Sequence, residues 1–188
     1  DHNLDNTAYP IRVAGNSDYV DGSAFHLYAG DISAMTTVKN ATDKNVYFTE
    51  QYTDTQGSFS GDFGWHMQNV MIGSMNNWGK IAMEWNLATD ANHGPKTPGG
   101  CSECLGAITI NNSSNYTRNV SYYIIAQFSK FVRAGAIRIG SSTSDGSLHK
   151  VAFKNTDGTY AVVVFNSGGD KNISIGTGSK SFSSFIPG

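Results

Sequence analysis

Charge is scarce in this 188-residue chain. Only 15% of positions are Asp, Glu, Lys or Arg, against roughly 25% in an ordinary globular domain. The 13 cationic residues are scattered and the formal net charge is −2, so the sequence carries no basic stripe of the kind a phosphate backbone or anionic lipid surface requires. Nucleic acid and membrane-surface partners are therefore not expected. No run approaches the ~20 apolar residues of a transmembrane helix, so no membrane span is expected either. The opening Asp1-His2-Asn3-Leu4-Asp5-Asn6 has neither the basic n-region nor the apolar h-region of a signal peptide. A phosphate loop, a dinucleotide fingerprint, HExxH and GxSxG are also missing, and no cofactor is implied.

Cysteine is nearly absent. Cys101 and Cys104 sit in Gly99-Gly100-Cys101-Ser102-Glu103-Cys104, with no second pair to complete a four-ligand zinc site. A redox CxxC belongs at a helix start in a βαβ setting, whereas this one lies in a Pro/Gly-rich stretch. The pair reads as a local loop disulfide or two inert thiols.

What the chain has instead is neutral polarity. Gly, Ser, Asn and Thr fill 74 of the 188 positions. Asn-x-Ser/Thr triplets start at Asn40, Asn111, Asn112, Asn115, Asn119 and Asn172. Such a surface suits a secreted or periplasmic protein. The hydrophobic share of 39%, with 12% aromatic, supports a sizeable core in about one domain's length.

Three β-branched or aromatic runs mark strands at Ala24–Tyr28, Asn45–Thr49 and Lys80–Trp85, and helical spacing separates them. Asp31 is a plausible N-cap ahead of Ile32, Met35 and Val38. Phe63, Met67, Val70, Met71, Met75 and Trp78 form an amphipathic stripe about four turns long, and Met at this spacing reads as core filling. A long loop is expected from Leu87 to about Asn119, followed by a helix through Val120, Tyr123, Ile124, Gln127, Phe128 and Phe131. This is the rhythm of βα units with parallel strands. From about Gly135 the texture changes to short alternating runs at Ala136–Gly140, Leu148–Lys154, Tyr160–Asn166 and Asn172–Gly176. Asp157-Gly158 serves a hairpin turn between the second and third. Another strand is expected to begin only where the sequence stops, at Ser181–Gly188.

Glutamate is the rarest acid, present only as Glu50, Glu84 and Glu103. Glu50 and Glu84 lie at the carboxyl ends of expected parallel strands, which in a βα barrel form the active-site face. Glu50 follows an apolar strand expected to be buried on both faces, where a carboxylate is costly unless hydrogen-bonded or used. It fits a functional carboxylate, and equally a helix cap or a partner for lysine. Tyr28 and Trp85 end the neighbouring strands. Tyr, Glu and Trp side by side suit a sugar, whose C–H faces pack on rings while carboxylates serve its hydroxyls or anomeric carbon.

Four segments in order are Ser23-Ala24-Phe25-His26-Leu27-Tyr28, Tyr47-Phe48-Thr49-Glu50, Glu84-Trp85-Asn86-Leu87-Ala88 with Gly94-Pro95, and Gln127-Phe128-Ser129-Lys130-Phe131-Val132. Together they resemble the second half of glycoside hydrolase family 30, which includes glucosylceramidases and bacterial endo-β-1,6-glucanases. The Gly-Gly-Cys-x-x-Cys loop looks nearer the bacterial glucanase branch than the animal glucosylceramidases. The resemblance implies a fold of class α/β plus β. Residues 1–133 would be the C-terminal portion of a (β/α)8 barrel, strands 6 to 8, and residues 134–188 part of an antiparallel β-sandwich side domain.

It also implies retaining hydrolysis of a β-glucan or β-glucoside, with Glu50 as nucleophile and Tyr28 hydrogen-bonded to it. His26 would sit in the same wall, Trp85 would floor the subsite of the cleaved sugar, and His2 would lie within reach of the cleft. The family's general acid/base glutamate lies in an earlier segment that has no counterpart here. Alternation turns Glu84 away from the face of Trp85, so it is not expected to replace it. The chain is thus expected to be the C-terminal piece of an enzyme, inactive alone, and associated with the N-terminal half of the barrel or with copies of itself. The alternative is a non-catalytic carbohydrate-binding or assembly fragment.

Overall fold

The computed structural model describes residues 3–178 and 180–188. Contacts within the chain divide it into two compact units, residues 1–133 and 134–188.

In the first unit, β1 (Asn3–Leu4) leads through α1 (Ala8–Ala14) to β2 (Gly22–Gly30), and α2 (Ala34–Thr42) leads to β3 (Asn45–Glu50). A short strand β4 (Thr53–Asp54) precedes one long helical stretch. This comprises α3 (Phe59–Trp65), a π-helical segment at His66–Ile72 and α4 (Gly73–Asn76), and it returns the chain to β5 (Gly79–Ala82). The strands lie in the order β1-β2-β3-β5, all parallel. Strict alternation places Phe25 of β2 and Val46 and Phe48 of β3 on one face, fully buried. There they meet Met35 and Val38 of α2 and Met67, Val70 and Met71 of the π segment, so the middle of the methionine stripe is core, while Trp78 at its expected end lies beyond the helix and is 48% exposed. Burying a side chain such as Phe48 stabilises by about 2–3 kcal/mol.

The opposite face holds Ala24, His26, Tyr28, Tyr47 and Thr49, none of them fully buried. The expectation that β3 is buried on both faces is therefore corrected. Its second face is polar and half open, and Tyr47 Oη donates there to the Asp21 carboxylate. Asp31 does not cap α2 directly: its carboxylate accepts from Ser33 N at 2.9 Å and shapes the turn before the helix.

The segment from Leu87 to Asn119 is more than the long loop its polar sequence suggests. β6 (Ala88–Asp90), β8 (Ile108–Asn112) and β9 (Asn115–Arg118) form a small sheet, and β7 (Cys104–Leu105) pairs with β4. Three- to five-residue polar strands carry too little alternation to announce themselves. Cys101 and Cys104 form a disulfide beside β4, where Asp54 opposes Cys104. α5 (Val120–Ser129) closes the unit and buries Ile124 and Phe128. Among the described residues no helix is long and apolar enough to cross a membrane.

In the second unit β10 (Ile137–Ile139), β11 (Leu148–Lys154) and β12 (Tyr160–Asn166) form an antiparallel sheet. β13 (Lys171–Thr177) pairs with β14 (Lys180–Ile186), a complete strand in the Ser-rich tail where the sequence suggested only a beginning. The β11–β12 turn uses one left-handed residue, Gly158 at φ +86°. Asp157 instead accepts from Thr159 N at 2.9 Å.

Candidate active site

The two faces of β3 set the site. Phe25 opposes Phe48 on the buried face, and strict alternation from Phe48 would send Glu50 to that face too. The register instead slips by one residue, so that the next pair is His26 with Glu50. Such a bulge re-aims a side chain. Here it turns the Glu50 carboxylate onto the open face, beside His26 and Tyr28. Asn3 of β1 opposes His26 on the other side, so Asn3, His26 and Glu50 stand abreast on three parallel strands.

Tyr28 Oη donates to Glu50 Oε1 at 3.1 Å, and His26 Nδ1 lies 3.6 Å from the same oxygen. Partial burial, reinforced by the negative charge of Glu50, pushes the Tyr28 phenol well above its ordinary pKa. The phenol therefore stays protonated and remains a donor at every working pH. His26 meets the Tyr28 ring edge-on at 5.9 Å, and the Tyr52 ring lies 5.6 Å from it in a tilted arrangement. Gln51, buried, accepts from Leu27 N at 3.3 Å and ties the end of β3 to β2.

Trp85 is placed by the same strand end. Its backbone N–H donates to the Gln51 carbonyl at 2.7 Å, and Tyr52 bridges to it in parallel register. Trp85 is 47% exposed. Glu84, one residue earlier, goes the other way. It is buried against the helical stretch, with Oε1 2.9 Å from His66 Nδ1. Burial raises its pKa, and the His66 hydrogen bond only partly opposes this. Glu84 is therefore committed to His66 and is not paired with Glu50.

The sequence-expected residues Tyr28, His26 and Glu50 thus cluster, with Tyr28 hydrogen-bonded to Glu50 and His26 3.6 Å from it, whereas the expected strand Lys80–Trp85 ends at Ala82 and Trp85 stands three residues beyond it. His2 lies outside the described residues. Gln51, Tyr52 and His66 went unnoticed in the sequence. Gln51 and Tyr52 follow Glu50 directly, and a bulged strand end is the feature that would have drawn attention to them.

Residues 135–188 match the sequence profile of the glycosyl hydrolase family 30 beta sandwich domain. The endo-1,6-beta-D-glucanase neg1 of Aspergillus fumigatus is 37% identical over 181 residues, which is 90% of this chain and 36% of that protein. The endo-1,6-beta-D-glucanase BGN16.3 of Trichoderma harzianum is 36% identical over 190 residues, 95% of this chain and 38% of that protein. Residues 135–188 belong to the family 30 beta sandwich domain, and nearly the whole chain is similar to endo-1,6-beta-D-glucanases. Another relative is the putative glucosylceramidase 4 of Caenorhabditis elegans, at 30% identity over 80% of this chain and 31% of that protein. Among solved structures, an endo-beta1,6-glucanase superposes with a TM-score of 0.92 at 36% identity, covering all of this chain and 45% of the other. SrfJ from Salmonella typhimurium gives 0.89 at 27% identity, covering all of this chain and 44% of the other. The chain thus spans less than half the length of these relatives.

Proposed function

We propose that this chain supplies the nucleophile side of a retaining β-glycoside hydrolase acting on β-glucan, of β-1,6-glucanase type. On this reading β1, β2, β3 and β5 are consecutive strands of a (β/α)8 barrel. The observation that carries it is the bulge-aimed Glu50, with a protonated Tyr28 on one carboxylate oxygen and Trp85 just beyond the end of the adjacent strand β5. In the first step a Glu50 oxygen attacks the anomeric carbon as the glycosidic C–O bond breaks. The leaving oxygen takes a proton from a general acid, and a glycosyl ester on Glu50 results. Water then cleaves that ester, giving its proton to the same group acting as base, and the sugar leaves with retained configuration. The acid/base carboxyl is assigned to a segment outside this chain, about 5–5.5 Å from Glu50 in the assembled site. Tyr28 holds the carboxylate in the attacking orientation, and Trp85 offers its ring to the C–H face of the sugar. The low charge and neutral polar surface fit secretion toward a polymeric substrate.

The test is a mechanism-based 2-fluoro glucoside incubated with the native polypeptide that carries this sequence. A single adduct on Glu50, found by peptide mass spectrometry, is the expected result. An adduct elsewhere, or hydrolysis of β-1,6-glucan with inverted products, overturns the assignment.

A further inference from the structure

Away from Glu50, four exposed aromatic rings and one guanidinium form a continuous stripe on the first unit, extended by the half-buried Phe63. Phe63 stacks on Phe59 at 6.0 Å, Phe59 meets Tyr123 edge-on at 5.6 Å, and Tyr123 meets Tyr122 at 5.4 Å. The Arg118 guanidinium lies 5.0 Å from the Tyr122 ring and 5.5 Å from the Tyr116 ring, and it donates to Tyr116 Oη at 3.1 Å. Phe59 and Tyr116 are more than half exposed, and Tyr122 and Tyr123 nearly two-fifths. Core aromatics do not sit this way, and exposed patches of this kind mark ligand or partner surfaces.

The topology says where the stripe lies. Helices that follow parallel strands run back along the sheet, so their N-termini stand at the strands' carboxyl ends. Phe59 opens α3, after β3 has delivered Glu50, and Tyr122 and Tyr123 open α5, after β5 has delivered Trp85. The stripe therefore stands on the same end of the unit as Glu50 and Trp85.

The chemistry says what it takes. Arg118 is the stripe's one charged group, and it is spent on two tyrosine faces. The adjoining β8–β9 turn, Asn111 to Asn115, is amide and hydroxyl throughout and exposed. Ring faces flanked by amides and phenols, with Ile110 opposite Tyr116 as the adjoining aliphatic side chain, offer little to an acidic or basic partner. They complement a neutral polyol chain, stacking on its C–H faces and hydrogen-bonding its hydroxyls.

We infer that the stripe of Phe59, Tyr123, Tyr122 and Tyr116, braced by Arg118, is a second binding platform for a β-glucan chain, continuing outward from the Glu50 site. The inference rests on the β-glucan reading above for its ligand class. It extends that reading to a surface that does not touch the cleaved bond.

The test uses the native polypeptide carrying this sequence, in affinity electrophoresis through gels containing soluble β-1,6-glucan and in hydrolysis assays. Tyr122→Ala with Tyr123→Ala is expected to weaken retention by about tenfold or more and to raise KM on the polymer similarly. Turnover of a short aryl β-glucoside, which reaches only the Glu50 site, is expected to stay unchanged. Should the double variant fail to fold, Tyr116→Ala and Phe59→Ala carry the same measurement. Unchanged retention and KM in folded variants overturns the platform, as does a fall in melting temperature without loss of glucan retention, which would assign the rings to packing. Stripe-dependent retention without any glucan hydrolysis would sink the proposed activity and leave the platform standing.

Discussion

Tyr28 and Glu50 are joined by a hydrogen bond of 3.1 Å from the phenol to one carboxylate oxygen, made possible because the bulge in β3 brings Glu50 round to the face of Tyr28. A hydrogen bond to a charged group is worth about 1.5–3 kcal/mol. Tyr28→Phe keeps the ring and its packing on Tyr52 but deletes the donor. The expected outcome is a fall in kcat/KM of about 10- to 100-fold, with little change in melting temperature. A variant within twofold of the parent would show that the phenol does not hold the carboxylate.

Glu50 itself is expected to be indispensable. Glu50→Gln preserves volume and can still accept from Tyr28, but it has no anionic oxygen for attack on the anomeric carbon. Hydrolysis by the complete enzyme should drop by at least several orders of magnitude, while circular dichroism stays that of the parent. Residual activity of even a tenth would remove Glu50 from the nucleophile role.

How much of this was legible in the residues varies by element. The Val46-Phe48 and Phe25 alternation announced two strands, and the Met35/Val38 and Met67/Val70/Met71 spacing announced the helices that cover them. The second unit's ladders followed from alternating runs, except β14, whose Ser-rich strand lacks a buried face to mark it. The site was less legible from pattern alone. Counted by strict alternation, Glu50 falls on the buried side with Phe48, and only its resemblance to a family segment pointed to the open face. The register slip that reverses it is a backbone event with no sequence period. His66 stayed hidden because its neighbours Met67 and Val70 make the stretch read as core.

Trp85→Ala separates binding from packing. The ring is half exposed, so its removal should leave melting nearly unchanged. Losing a sugar platform costs on the order of 1–3 kcal/mol, which corresponds to about a 5- to 150-fold rise in KM. A large loss of melting temperature with KM intact would instead make Trp85 a packing residue.

The buried Glu84–His66 pair predicts a pH dependence of stability. Burial raises the Glu84 pKa above its ordinary value, against the opposing His66 hydrogen bond and with a small raising contribution from Asp62. A carboxyl whose folded pKa is raised binds its proton more tightly when folded. Its contribution is therefore fully present at low pH and is lost as pH climbs from the ordinary glutamate value, about 4.3, to the raised one. Glu84→Gln cannot titrate. Plotted against pH, the melting temperature of Glu84→Gln minus that of the parent should increase across this window and then level off. A difference independent of pH would show that Glu84 does not carry a raised pKa.

The open sheet makes the last prediction. Among the described residues β1 and β5 are the outer strands of the order β1-β2-β3-β5, and each leaves one edge of its backbone without a ladder partner. Along β5 and just beyond it, Ile81, Met83 and Trp85 alternate on one side, each between 41% and 49% exposed. Unpaired edges template pairing with other chains, and contiguous exposed apolar side chains favour burial against a partner. The isolated 188-residue polypeptide is therefore expected to associate, with copies of itself or with a polypeptide supplying the flanking strands. Closure of a barrel needs matched strand number and shear, so self-association is not expected to create activity. Sedimentation equilibrium across a concentration series should return masses above the 20.2 kDa of one chain. Adding charge to the apolar face with Ile81→Lys and Met83→Lys should lower them. A monomer that melts sharply at every concentration would show that this face and these edges are stable in water without a partner.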